Sequence, residues 1–337
     1  MNNITFTRRA SLLGAAGLLA APSVARAQGM TLRFSHTDSA VGSRQAAAER
    51  FAARLRELTS GRVSVQVFHS GQLANDPRAV EQLQLGGIDF TVTAPGTYAQ
   101  HHRLLNLNGL PYLVDSYEQG WALYDQGRWI QQQYAALIPR GMRILSTWEA
   151  GFRSFTTRTP LTTPADARGQ NMRIFPNEMI RWIIEAFGFS PVVLPVTEVY
   201  LAIQQGTVIG QENPIDTIYS LRFTEVAPHL TMTQHVYSPL PLSMAERSWQ
   251  RLPAADREHV MQAAREASQF SRNAVREAEA GQIREMEGRG ARVARPDIAP
   301  WRAAVQQVYQ RARGAYGAEV DTLLAEAETV RRERPSG

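Results

Sequence analysis

From Ala254 to Met286 the chain has no proline and a single glycine, Gly281, and it is rich in Ala, Glu and Arg. Such a run reads as one long helix, with Gly281 as the place where it would bend. About 33 residues of helix span about 50 Å. That is longer than a single small domain is wide, which suits a helix that bridges two lobes. The alternative for a long helix is a coiled coil, but the a/d apolar pattern is too broken to support one. A length of 337 residues agrees with two domains of about 100–200 residues each. It is also enough chain to bury a sizeable core.

The segments before this helix alternate between two periods. Leu32 to Ser35 reads as a strand, followed by a helix with Ser43 as N-cap and Ala47, Phe51, Leu55 and Leu58 on one face. Arg62 to Phe68 alternates with a period of two, so a strand with one buried face is expected. A helix over Pro77 to Leu85 and a strand over Ile88 to Thr93 continue the order. Further on, Met142 to Thr147 and Asn171 to Phe175 read as strands. Asn177 and Thr197 are candidate helix caps, and one more helix is expected from Trp301 to Val330. Strand–helix–strand order predicts an α/β fold with largely parallel pairing.

Composition removes several kinds of chemistry. There is no cysteine, which excludes disulfides, thiolate nucleophiles and zinc–thiolate sites. All 36 basic residues are arginine, so no lysine is present for a P-loop, a Schiff base or an SxxK nucleophile. The seven histidines show no metal-ligand spacing, and no GxSxG, GxGxxG or EF-hand loop occurs. Neither a cofactor nor a metal is expected.

Residues 1–27 look like an export signal. Arg8 and Arg9 precede a short apolar run from Leu12 to Ala21, and Ala25-Arg26-Ala27 is a small-x-small cleavage site. The run is well short of the ~20 apolar residues of a bilayer span. Thr7 to Leu13 resembles a twin-arginine signal, although Ser11 stands where that signal has a bulky apolar residue; an ordinary secretory signal fits as well. Removing residues 1–27, which carry three arginines and no acid, lowers the formal charge from +5 to +2. That balance argues against a nucleic-acid footprint. No later segment is apolar enough to span a membrane, so a periplasmic protein cleaved after Ala27 is expected.

Three motifs in order carry a family resemblance. They are Trp148-Glu149-Ala150-Gly151-Phe152-Arg153, Gly169-Gln170-Asn171-Met172-Arg173-Ile174, and Glu198 to Gly206 leading into Gly210-Gln211-Glu212-Asn213-Pro214. Ser70 to Leu73 and Leu110 to Leu113 also fit, so the similarity runs over essentially the whole mature chain. The chain resembles the solute receptors of tripartite ATP-independent periplasmic (TRAP) transporters, the DctP type. The resemblance implies a two-lobed α/β periplasmic binding protein fold with a hinge and a long interlobe helix. The expected division is 28–150 plus about 239–280 for lobe I, and 151–238 plus about 281–330 for lobe II.

By the same resemblance Arg173 is the ligand anchor, Arg153 a second arginine near the same carboxylate, and Asn213 a hydrogen-bonding partner. A planar guanidinium meets the two oxygens of a carboxylate through parallel charge-assisted bonds. Trp148 is a candidate wall of the pocket or a plain core residue. Phe175, Tyr237, His36, Thr37, Ala94 and Asp216 are further pocket candidates. Relatives that bind sialic acid have Glu at the Ala94-Pro95 segment, Asn at Thr37 and Phe at Val196. Those departures point to a smaller or more apolar acid: a short dicarboxylate, a 2-oxo or 2-hydroxy acid, or an aromatic acid.

The function implied is capture of a small organic carboxylate without chemistry and its delivery to TRAP membrane permease subunits. The alternatives are a periplasmic sensor that presents a carboxylate to a signalling partner, and a periplasmic enzyme.

Overall fold

The computed structural model describes residues 29–335. The expected signal segment lies outside them.

Nine strands form one sheet: β1 (Met30–Ser35), β2 (Val63–Phe68), β3 (Phe90–Val92), β4 (Met142–Thr157), β5 (Asn171–Ile174), β6 (Ser190–Val193), β7 (Gly210–Pro214), β8 (His229–Ala245) and β9 (Arg292–Ala294). Their order is β2-β1-β3-β8-β4-β7-β5-β6, with β9 beside β8. The two flanks are parallel, β1 with β2 and β3, and β5 with β6 and β7. The centre is antiparallel, because β8 runs against both β3 and β4 and β7 runs against β4. The sheet is therefore mixed, where strand–helix order alone predicted mostly parallel pairing. What the order misses is that β4 and β8, of 16 and 17 residues, are shared by both lobes.

Each long strand changes lobe at its middle. Register shifts where Glu149 faces Pro239 and Gly151 faces Ser238. The Glu149 carboxylate accepts the backbone N–H groups of Ala150 and Gly151 at 2.9 and 2.7 Å. Gly151 holds φ +104°, and a Cβ there would come within 3.1 Å of the Tyr117 hydroxyl. A side chain is therefore disfavoured at this crossing point twice over.

Helices cover both faces: α1 (Ser43–Leu58), α2 (Asp76–Leu85), α3 (Tyr117–Gln126), α4 (Arg128–Ala135), α5 (Glu178–Phe187), α6 (Val199–Gln204), α7 (Ile215–Ser220), α8 (Glu246–Arg251), α9 (Ala254–Gly288), α10 (Ala299–Ala304), α11 (Gln306–Tyr316) and α12 (Ala318–Glu333). Asn177 caps α5 by accepting from the Ile180 N–H at 2.9 Å, as its position predicts. Ser43 and Thr197 do not cap. Gly42 precedes α1 while the Ser43 hydroxyl points to Asp216, and Thr197 lies in a 3₁₀ turn, Val196–Glu198. The helix expected over Trp301 to Val330 is three helices, because Gly317 at φ +61° separates α11 from α12 and a shorter break precedes α11.

The long helix α9 is unbroken through Gly281 and has 35 residues. Its first half packs with Phe34, Phe51 and Trp148 in one apolar core. Ile283 and Met286 join a second core with Ile203 and Ile218. Ser268 and Arg272 both donate to the Thr147 carbonyl, at 2.6 and 2.9 Å, and Ser271 accepts from Glu149 N–H. The helix is thus fastened to β4 beside the crossing point. Among the C-terminal helices, α11 packs on α5 and α12 packs on α3 and α4. One apolar core running from Ala79 through Phe187 to Ala327 explains the packing.

Candidate functional site

The carboxyl ends of the parallel strands face one crevice, the usual ligand position in open α/β sheets. Side chains from both flanks of the sheet and from the two long strands line it. One wall comes from the loops after β1, β2 and β3: Thr37, Asp38, Asp76, Thr93 and Ala94, with Arg44 from α1. The other comes from β5, β7 and the segments after them: Arg173, Phe175, Asn213 and Thr217. Arg153 and Ser238 from the two long strands form the floor.

Arg173 reaches the cleft because β5 alternates. Met172 and Ile174 are fully buried in the apolar core, so the residue between them must face the other way. Its side chain is 2% exposed. Nε and Nη2 both donate to the Leu194 carbonyl, at 2.9 and 2.8 Å. That bond fixes the guanidinium plane and leaves Nη1 with no protein acceptor among the described residues. Burial lowers the Arg173 pKa to about 10, against the pull of Glu212. The group is still a cation at neutral pH.

Arg153 is differently occupied. Nε and Nη2 grip the two carboxylate oxygens of Glu212, Nη2 also reaches the Glu212 carbonyl at 2.6 Å and Asn213 Oδ1 at 3.2 Å, and Nη1 reaches Ser238 Oγ at 3.3 Å. Its guanidinium lies 4.9 Å from the centre of the Phe175 ring. Burial opposes the Glu212 charge, but Arg153 and His235 outweigh it and bring the carboxyl down to about 2. Asn213 donates to Gln211 Oε1 and accepts from Arg153, so the pair holds its amide in place. Glu212 was not among the expected site residues. The signal available was a charged residue inside a strand that is otherwise wholly buried.

Asp76 opens α2, behind an Asn75 cap, and accepts from Thr37 Oγ1 at 3.0 Å. Burial raises its pKa, opposed by Arg44, Thr37 and Arg173. Neither Asp76 nor Arg44 was expected from the sequence, since nothing local marks the first turns of two helices as neighbours across a cleft. Two bonds close the mouth between the walls: Ser43 Oγ donates to Asp216 at 2.7 Å, and Ser220 Oγ donates to Asp38 at 2.5 Å.

Among the expected residues, Arg173, Arg153, Asn213, Phe175, Thr37 and Ala94 line the same cavity. Four others do not line it. Trp148 is fully buried in the core, its ring 5.8 Å from that of Phe34. His36 bonds Gln45 Oε1 at 2.7 Å, and burial lowers its pKa to about 4. Tyr237 donates to Glu149 at 2.6 Å and borders a small void beside the cleft, lined also by Arg153 and Phe175. Asp216 is held by Ser43 and by Gln282 of α9 at 2.8 Å. Among the described residues no cluster of His, Asp or Glu is placed to hold a metal ion, and no helix is long and apolar enough to cross a membrane.

Comparison with known proteins agrees with this architecture. Residues 34–314 match the family described as bacterial extracellular solute-binding protein, family 7, named DctP. The chain is 30% identical to the 2,3-diketo-L-gulonate-binding periplasmic protein YiaO of Escherichia coli, over 77% of this chain and 79% of that one. It superposes on the sugar acid binding protein of Advenella mimigardefordensis in complex with galactonate with a TM-score of 0.87 at 25% identity, covering 90% of this chain and 99% of the other. A TRAP periplasmic solute-binding protein of Polaromonas bound to D-erythronate gives a TM-score of 0.84 at 30% identity, covering 88% and 98%. Two lobes, a shared pair of long strands, a bridging helix and this match over most of the sequence lead to one conclusion: the chain belongs to the DctP family of TRAP-type solute-binding proteins.

Proposed function

We propose that this protein captures a small hydroxylated carboxylic acid in the interlobe cleft and hands it, chemically unchanged, to a TRAP membrane permease. The observation that carries the reading is Arg173: a buried cation in the cleft, its plane fixed by the Leu194 carbonyl, with Nη1 open to the cavity. A ligand carboxylate is the natural partner for such a group. Charged hydrogen bonds contribute about 1.5–3 kcal/mol each, and micromolar binding needs about 8 kcal/mol. Two bonds at Arg173 supply much of that, and contacts made on lobe closure supply the rest. Arg153 acts differently: matched by Glu212, it orients Asn213 and the cavity floor while contributing little uncompensated charge.

The remaining lining favours hydroxyls on the ligand. Thr37, Thr93, Thr97, Thr217 and Ser238 all face the space, and each hydroxyl can both donate and accept. The relatives described above whose names or bound ligands are sugar acids support the same class. Ala94 and Val196 leave room but do not make the cleft apolar.

A thermal-shift screen of the mature protein tests the proposal, with aldonates, uronates, short dicarboxylates and aromatic acids as the panel. Ligand at 100 times its Kd adds about 2.7 kcal/mol of stability. Aldonates or uronates should raise the Tm most, and mass spectrometry after long incubation should recover them intact. Stabilisation by aromatic acids alone, or recovery of a converted product, would overturn it.

A further inference from the structure

One cation in the cleft is not used by that reading. Arg44, the second residue of α1, lines the cavity on the wall across from Arg173. Among the described residues it has no ion pair. Its Nη1 makes one long bond, 3.5 Å, to Thr37 Oγ1, and its Nε is buried without a partner. Guanidinium donors withdrawn from water and left unpaired are costly, so this group is set for an acceptor that arrives with the ligand.

The kind of acceptor follows from its neighbour. Thr37 Oγ1 accepts from Arg44 and donates to Asp76 at 3.0 Å. One hydroxyl already bridges the cation and the carboxylate, accepting from the first and donating to the second. A second carboxylate brought to Arg44 would face the Asp76 oxygens. Two carboxylates at one site repel each other. An alkyl or aryl end would leave the buried Arg44 Nε without an acceptor.

We infer that Arg44 and Asp76 together read a hydroxyl at the end of the ligand remote from its carboxylate, which makes Arg44 a specificity-determining residue that selects hydroxylated monoacids over diacids. This rests on the carboxylate reading of Arg173 and adds the second point of recognition.

Galactonate and galactarate are suitable probes, since they share a hydroxylated chain and differ in whether the far end is a hydroxymethyl or a carboxylate. By calorimetry the unaltered protein should bind galactonate at least about tenfold more tightly than galactarate. Arg44→Met should weaken galactonate by about tenfold or more. Asp76→Asn, which keeps the size and removes the charge, should narrow the gap between the two acids by about tenfold. Arg44 lies in a partly exposed first turn, so its variant should fold, and the Asp76 variant gives an independent reading. An Arg44→Met protein that binds galactonate as tightly as its parent, or a parent that prefers galactarate, overturns the inference and leaves the carboxylate anchor standing. A parent that binds neither acid overturns the hydroxy-acid reading, and the inference with it.

Discussion

Arg173→Met separates a ligand anchor from a residue that merely holds the fold together. In the folded protein burial lowers the guanidinium pKa from its ordinary value to about 10. The charged form is therefore disfavoured by folding at every pH below about 10, by ~3 kcal/mol. Methionine removes that penalty. It also removes two bonds to the Leu194 carbonyl, which costs about 1–3 kcal/mol if the oxygen finds no other donor. The unliganded variant should therefore be as stable as its parent or more stable by up to ~2 kcal/mol. Binding should move the other way. Losing two charged hydrogen bonds to a carboxylate costs about 3–6 kcal/mol, or about 10²–10⁴ in Kd. Urea unfolding without ligand and calorimetry with the strongest acid of the screen measure the two effects. A variant destabilised by more than about 2 kcal/mol, with Kd within about threefold of the parent, would refute the reasoning.

Three further outcomes follow from other buried groups. Burial raises the Glu149 pKa from 4.5 to about 7, opposed by Tyr237 and Trp121. The folded state then holds its proton longer than the unfolded chain, so stability falls by about 3 kcal/mol as pH rises from about 4.5 to about 7. Glu149→Gln should remove that slope, and urea midpoints at pH 5 and pH 8 should show its stability improving relative to the parent as pH rises. Glu212→Ala leaves the Arg153 charge buried without its partner and should cost about 3–5 kcal/mol at pH 7, read by urea unfolding. Gly151→Ala puts a Cβ at φ +104° against the Tyr117 hydroxyl and should cost about 1–3 kcal/mol. An unchanged Tm would show that the crossing point of β4 tolerates a side chain.

Local pattern was enough for some of this protein. The span of α9, the Asn177 cap and the inward face of Met172 and Ile174 are written in helical or alternating spacing, because neighbours three, four or two residues apart share a face. The placement of Arg173 on the cleft side of β5 follows from the same alternation. The family was legible too, since its motifs are short and lie in order. Other features needed the chain to meet itself. Pro239 and Pro241 argue against a central strand, yet β8 forms there, with Pro239 opposite the register shift in β4. Trp148 belongs to the motif that resembles the family's cleft, but Phe34 and the long helix claim its ring. Arg153 and Glu212 are 59 residues apart, and their ion pair exists only because β4 and β7 lie side by side. Arg44, Thr37 and Asp76 come from three separate segments. Periodicity decides which way a residue faces within its element; only the packing of elements decides which residue faces it from the other side, and the chemistry of the cleft depends on both.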